Sequence, residues 1–117
     1  KDNHRLLLKN MSLKDAVKTI KDKTKGRVVV EVDTLEEFKK ALTSRAEVIL
    51  LDNMTPMQIA KIVTLKNRLK PKVLLEASGG ISSKNIHAYA KTGVDRISVG
   101  SLTSVIKPID ISLDFNL

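Results

Sequence analysis

A chain of 117 residues, 42% of them hydrophobic and 29% charged, is the size of one small domain and too apolar for a disordered tail. The absence of cysteine excludes a disulfide framework, a thiolate metal site and a cysteine nucleophile, and two Phe, one Tyr and no Trp offer little stacking surface for single-stranded nucleic acid. The net charge of +8 keeps acidic partners open, but Lys14, Lys18, Lys21, Lys39, Lys40, Lys61, Lys66 and Lys84 are scattered through predicted helices, as on a solvated outer face, so no nucleic-acid partner is expected. No apolar run approaches the ~20 residues of a membrane span and no signal peptide is visible, so a soluble, cytoplasmic protein without a membrane partner is expected.

Residues 1–11 read as a polar loop around Leu6-Leu7-Leu8. The opening Lys1-Asp2-Asn3-His4 lacks an initiator Met and has the character of residues just after a strand, so an upstream strand and a longer parent chain are expected. Ser12 is a predicted N-cap, and Leu13, Ala16, Val17 and Ile20 form the inner stripe of a helix running to about Lys23 and closed by Gly26. Arg27 to Val32 is a β-branched strand ending at Asp33-Thr34, and the next helix carries Leu35, Phe38 and Leu42 on one face. Val48-Ile49-Leu50-Leu51 is a buried strand ending in Asp52-Asn53. Thr55-Pro56-Met57-Gln58 then supplies an N-cap, a proline at the first helical position and a capping glutamine, for a helix extending to about Lys70 with Ile59, Ile62, Val63 and Leu69 inward.

After Pro71, Val73-Leu74-Leu75 lacks period-2 alternation and breaks into Ser78-Gly79-Gly80 and a Ser/Asn-rich helix start, which describes a buried parallel strand ending in an anion-binding turn. Gly79 and Gly80 can take positive φ, and the following helix presents unpaired N–H groups and its positive end. Ser-Gly-Gly alone serves turns more often than phosphates, so context has to decide. That helix is expected from about Ser83 to Thr92, burying Ile86, Tyr89 and Ala90, with His87 facing solvent. Arg96 to Val99 forms a strand ending at Gly100-Ser101. The tail Ile109-Asp110-Ile111-Ser112-Leu113-Asp114 alternates with period 2 and belongs to another sheet.

Strand ends at Asp33, Asp52, Ser78 and Gly100 recur every roughly twenty to twenty-five residues, the spacing of a βα array around a parallel sheet. Each strand delivers polar residues at its carboxyl end, which favours α/β-barrel geometry over an open sheet with one switch point. Such an array is part of a barrel, completed by associating chains or by an upstream half. Glu31, one residue before its strand's end, and Asp52, at the end of the neighbouring strand, could both point into the barrel mouth. There they would hold Mg²⁺ or sugar hydroxyls beside a phosphate at Ser78-Gly79-Gly80; the competing role for each is a helix cap or a Lys partner. Glu76 competes for the same role, but two residues before Ser78 it is expected on a different side of the sheet. Gly100 and Ser101 make a second anion loop, Lys1 supplies a cation at a strand end, and His4 is a loop hydrogen-bonding residue. No zinc spacing or Ser-His-Asp set is present.

The segments Lys1-Asp2-Asn3-His4, Val30-Glu31-Val32-Asp33, Leu50-Leu51-Asp52-Asn53, Leu75-Glu76-Ala77-Ser78-Gly79-Gly80-Ile81, Thr92-Gly93-Val94-Asp95, Ser98-Val99-Gly100-Ser101-Leu102-Thr103 and Asp110-Ile111-Ser112-Leu113-Asp114 together closely resemble the carboxyl-terminal part of the quinolinate phosphoribosyltransferase family. The resemblance implies an α/β barrel portion over residues 1–104 and a tail, 105–117, that returns to an N-terminal sandwich domain. It also implies transfer of phosphoribosyl from phosphoribosyl pyrophosphate to quinolinate with Mg²⁺, giving nicotinate mononucleotide, pyrophosphate and CO₂ in NAD biosynthesis, in a homodimer or higher homo-oligomer. By resemblance, Lys1 meets a quinolinate carboxylate and Glu31 and Asp52 hold the ribose hydroxyls and metal side of the donor. Ser78, Gly79, Gly80 and Gly100 receive the 5-phosphate. The family's arginine and histidine cluster for quinolinate lies upstream of Lys1, in a missing N-terminal half, and Ser104 stands where many members carry a histidine. A related enzyme using nicotinate or another base, and a non-catalytic sugar-phosphate-binding fragment, are the alternatives.

Overall fold

Local chemistry sets the element boundaries in the computed structural model, which describes residues 11–69 and 72–100. In chain order they are α1 (Leu13–Lys23), β1 (Val29–Val32), α2 (Leu35–Leu42), β2 (Val48–Asp52), α3 (Pro56–Leu69), β3 (Leu74–Ser78), α4 (Ile86–Ala90) and β4 (Arg96–Ile97). Ser12 caps α1 by accepting from the Asp15 N–H at 3.1 Å, and Thr34 caps α2 by accepting from the Glu37 N–H at 3.2 Å. At α3, Thr55 Oγ1 accepts from the Gln58 N–H while Gln58 Oε1 accepts from the Thr55 N–H at 2.8 Å, the reciprocal box that the sequence predicts. The predicted roles of Lys1, His4, Ser101, Ser104, Leu6-Leu7-Leu8, Pro71 and the tail 105–117 fall outside the described residues.

All four strands are parallel and lie in chain order, β1-β2-β3-β4. Val30, Ile49 and Leu75 share one row, and Val32, Leu51, Ala77 and Ile97 the next. These rows face the helices: all but Ile97 are buried, and Ile97 packs against the same core as Phe38, Ile59, Ile62 and Tyr89. Neighbouring helices touch in sequence, α1 on α2, α2 on α3 and α3 on α4, so they form a single layer. Fully buried side chains such as Ile49, Leu51 and Leu75 each contribute about 1.5–3 kcal/mol by leaving water.

The opposite face carries Glu31, Leu50, Asp52, Leu74, Glu76 and Ser78, all half-buried, with Val29 and Arg96 exposed and Val48 buried near the amino-terminal end of the sheet. A parallel sheet with one covered and one open face has the geometry of a barrel segment, the inner side being the open one. In the strand expected to be buried at 73–78, Val73, Leu75 and Ala77 are buried and Leu74, Glu76 and Ser78 half-buried, because only one face has a helix layer among the described residues.

Several predicted inward positions are corrected. Ile20 is 47% exposed, Leu35 43% and Leu69 65%, and Ala90 is also exposed. Leu35, Leu69 and Ala90 are terminal residues of their helices and overhang the core, and Ile20 lies toward the end of α1, the first helix of the layer. The predicted strand to Val99 stops at Ile97, although the Ser98 N–H still donates to the Ala77 carbonyl at 2.9 Å. Of the lysines expected on a solvated face, Lys66 is buried instead, because Asp95 meets it there at 3.1 Å.

The amino-terminal end of the sheet is held by a device that occurs twice. Glu47, just before β2, pairs with Lys21 of α1 and accepts from the Val28 N–H at 2.9 Å. Asp95, just before β4, pairs with Lys66 of α3 and accepts from the Leu75 N–H at 2.8 Å. In both, the carboxylate leading into one strand satisfies an N–H near the start of the neighbouring strand and holds the lysine of the helix that precedes that neighbour. The Lys21 hydrogen bond, followed by the Val28 N–H, holds the Glu47 carboxyl below its ordinary value of 4.5.

Candidate active site

Strand register decides which polar side chains can meet. Glu31, Leu50, Glu76 and Arg96 occupy one row across the sheet, and Asp52 and Ser78 pair one step nearer the carboxyl end. Side chains two residues apart share a face, so Glu31, Asp52, Glu76 and Ser78 all project from the side that carries no helix among the described residues. Strand spacing and rise put the Cα of Asp52 about 8 Å from that of Glu31 and about 8 Å from that of Glu76. The register thus brings Glu31 and Asp52 to one face, and it corrects the expectation for Glu76, which shares that face because a two-residue offset keeps a strand side chain on the same side. Glu76 accepts from Ser98 Oγ at 2.5 Å, which ties it to the strand beyond.

Past Ser78 the chain turns through Gly79 at φ +85° and Gly80 at φ +61°. A Cβ on Gly79 would fall 2.7 Å from the Asn53 backbone nitrogen and closer still to the Asn53 side chain, so this position accepts only glycine on two counts. A Cβ on Gly80 would meet nothing within 4 Å, which leaves open space above the turn. Among the described residues no acceptor engages the Gly79 or Gly80 N–H groups in the turn hydrogen bonds. Asn85 closes the loop from behind, its Oδ1 accepting from the Ser82 N–H at 2.8 Å and its Nδ2 donating to the Gly80 carbonyl at 2.9 Å.

That clamp corrects the expected helix. Ser83 to Asn85 form a turn and α4 spans only Ile86 to Ala90, with no side-chain cap from Asn85, whose amide is committed to the loop. Helix-dipole support for an anion is therefore weaker than the sequence suggests, and the main-chain N–H groups of the turn carry that capacity. His87 is exposed, as expected. Gly100 is exposed with open space at its Cα, while its expected companion Ser101, like Lys1, lies outside the described residues.

Two participants escaped prediction. Asn53 follows Asp52 at φ +52°, and is the one non-glycine residue with positive φ among those described. Its N–H donates to the Ser78 carbonyl at 2.9 Å and its Nδ2 donates to Asp52 Oδ2 at 3.0 Å. An asparagine directly after a strand is a recognisable left-handed position, and that was the available signal. Asn85 sits in the predicted helix start, where Asn reads as a cap, and only the fold shows its amide turned back onto the loop.

Three carboxylates, a hydroxyl and an unfilled glycine turn at the carboxyl end of a parallel sheet suit a phosphorylated, polyhydroxylated ligand. The family model described as "Quinolinate phosphoribosyl transferase, C-terminal domain" matches residues 1–114. A probable nicotinate-nucleotide pyrophosphorylase (carboxylating) of Methanothermobacter thermautotrophicus is 39% identical over 97% of this chain and 42% of its own length. A nicotinate-nucleotide pyrophosphorylase (carboxylating) of Mycobacterium leprae is 46% identical over 73% of this chain and 30% of its own. The solved nicotinate-nucleotide pyrophosphorylase of Francisella tularensis superposes with a TM-score of 0.74 at 39% identity, covering 89% of this chain and 37% of that one. The chain thus spans well under half the length of these relatives, and it belongs to the quinolinate phosphoribosyltransferase family, in its C-terminal domain.

Proposed function

We propose that this chain forms the phosphoribosyl-donor side of an enzyme that transfers phosphoribosyl from phosphoribosyl pyrophosphate to quinolinate, releasing pyrophosphate and CO₂ and yielding nicotinate mononucleotide. The observation that carries this is the shared helix-free face of Glu31, Asp52 and Ser78, with the Gly79-Gly80 turn at its rim, in a chain of this family. The N–H groups of the turn and the Ser78 hydroxyl receive the 5-phosphate. Glu31 and Asp52 engage the ribose hydroxyls and the metal side of the donor, with Gly100 and Ser101 as a neighbouring anion loop. Lys1 is assigned by resemblance alone, to a quinolinate carboxylate.

The transfer asks for little covalent work by the protein. The bond from ribose C1 to the pyrophosphate oxygen breaks with its electron pair on oxygen, and the pyridine nitrogen forms the new bond to C1. Positive charge that builds on the ribose is stabilised by the fixed carboxylates, and the phosphate turn keeps the sugar in line. The carboxylate adjacent to the ring nitrogen then leaves as CO₂, and the electron pair left on carbon takes a proton. Two hard carboxylate donors beside a phosphate cup fit Mg²⁺, which commonly binds through one or two carboxylates plus substrate phosphates; among the described residues no group of three or more His, Asp or Glu forms an all-protein cage. When bound, Mg²⁺ would neutralise the leaving pyrophosphate. No helix among the described residues is long and apolar enough to cross a membrane. A cytoplasmic homodimer or higher homo-oligomer, with the quinolinate-binding half outside this chain and residues 105–117 packed on it, completes the proposal.

Release of CO₂ from carboxyl-labelled quinolinate, dependent on phosphoribosyl pyrophosphate and measured on the whole polypeptide that carries this chain, tests it. Turnover of nicotinate in place of quinolinate would overturn the acceptor assignment.

A further inference from the structure

Asn53 has no role in the transfer outlined above, yet it touches both halves of the cup. Its backbone holds a left-handed φ of +52°, a conformation that costs most L-residues energy and that Asn tolerates better than most. Its Nδ2 donates to Asp52 Oδ2 at 3.0 Å, and its N–H donates to the Ser78 carbonyl at 2.9 Å. The side-chain amide lies where a Cβ of Gly79 would be. One residue thus fixes the rotation of a carboxylate on β2 and fills the space behind the glycine turn on β3.

We propose that Asn53 is a positioning residue that locks the Asp52 carboxylate to the Ser78-Gly79-Gly80 turn, so that the sugar side and the phosphate side of the cup are held as one unit. With Oδ2 held by Asn53, the rotation of the carboxylate and hence the place of Oδ1 are set, and a rotated carboxylate would present neither oxygen in the same place. The functional consequence rests on the donor-site assignment above; the physical coupling does not.

Asn53→Gly is the informative variant, since glycine keeps the left-handed backbone at no steric cost and removes only the amide. Calorimetry with ribose 5-phosphate and Mg²⁺ on the whole polypeptide that carries this chain should show binding about tenfold weaker in Asn53→Gly, the worth of one charge-assisted hydrogen bond. In an Asp52→Asn background the same change should cost less than about twofold, because the carboxylate it orients is gone. Additive losses would mean that Asn53 only supports the turn, and would overturn the proposal. A ligand-free readout separates this from failure of the site assignment. Asp52→Asn should shift the amide resonances of Gly79 and Gly80 in the wild-type background, and most of that shift should vanish in Asn53→Gly. Equal shifts in both backgrounds would refute the coupling even if ribose 5-phosphate binds. Absence of binding to the wild-type whole polypeptide would refute the donor-site assignment, while the spectra would still decide the coupling.

Discussion

At Gly79 two constraints coincide, a φ of +85° and the Asn53 nitrogen 2.7 Å from where a Cβ would sit, whereas Gly80 has φ +61° and open space. Gly79→Ala is therefore expected to cost about 2–4 kcal/mol, the left-handed penalty plus overpacking against a neighbour whose backbone is itself held to Ser78. Gly80→Ala should cost only about 1–2 kcal/mol, from the backbone alone. Urea denaturation of the two variants checks the order, and a Gly80 loss as large as that at Gly79 would show that Asn53 yields. Glu47 makes a pH prediction. Its folded pKa lies below 4.5, so between that value and 4.5 the unfolded chain binds more protons. Stability from this carboxylate is complete above 4.5 and is lost as pH falls through the folded pKa. Glu47→Gln should flatten the acid limb of a stability-versus-pH curve in that window, and leave its slope near neutrality unchanged.

At the scale of elements, the Lys66–Asp95 pair joins α3, β3 and β4 through one carboxylate, and the Lys66 side chain is only 7% exposed. Asp95→Ala strands a buried ammonium and the Leu75 N–H together, and should destabilise the fold by about 3–5 kcal/mol in urea denaturation. Asp95→Asn combined with Lys66→Met removes both charges, keeps an acceptor for Leu75 and should recover most of that loss. Neither partner's role could be read beforehand: Lys66 sits among helical lysines that do face water, and Asp95 pairs across 29 residues of chain. What was legible is local. The Thr55–Gln58 box, the Ser12 and Thr34 caps and the βα repeat follow from spacings of a few residues. The face on which Glu76 projects follows from its two-residue offset to Ser78, but the openness of that face depends on there being no second covering layer among the described residues, which no strand's own composition reveals. Asn85 and Ser82 are neighbours in sequence, yet the choice between capping α4 and closing the Gly80 loop is made by how far the chain must turn before the helix can start.

For the whole molecule the two ends of the sheet carry different duties. Glu47 and Asp95 fasten strands at the amino-terminal end, whereas Asp52, Ser78, Gly79 and Gly80 line the carboxyl-terminal rim on the open side. In βα barrels the carboxyl end takes the ligand and the opposite end serves stability. The two properties should therefore separate by position. Ser78→Ala removes a half-buried hydroxyl that the core does not use, so its melting temperature should stay close to wild type while affinity for ribose 5-phosphate falls about tenfold or more, as for loss of one hydrogen bond to a charged group. Asp52→Asn should behave likewise, with its affinity loss larger in the presence of Mg²⁺ than in its absence. Glu47→Gln and Asp95→Asn should do the reverse, lowering the melting temperature while the affinity of the remaining folded protein is unchanged. Melting and calorimetry on these four variants form one experiment. If the amino-terminal pair weakened ligand binding in the folded protein as much as the rim pair, the division of the sheet would be wrong, and the ligand would have to be sought elsewhere than over the Gly79-Gly80 turn.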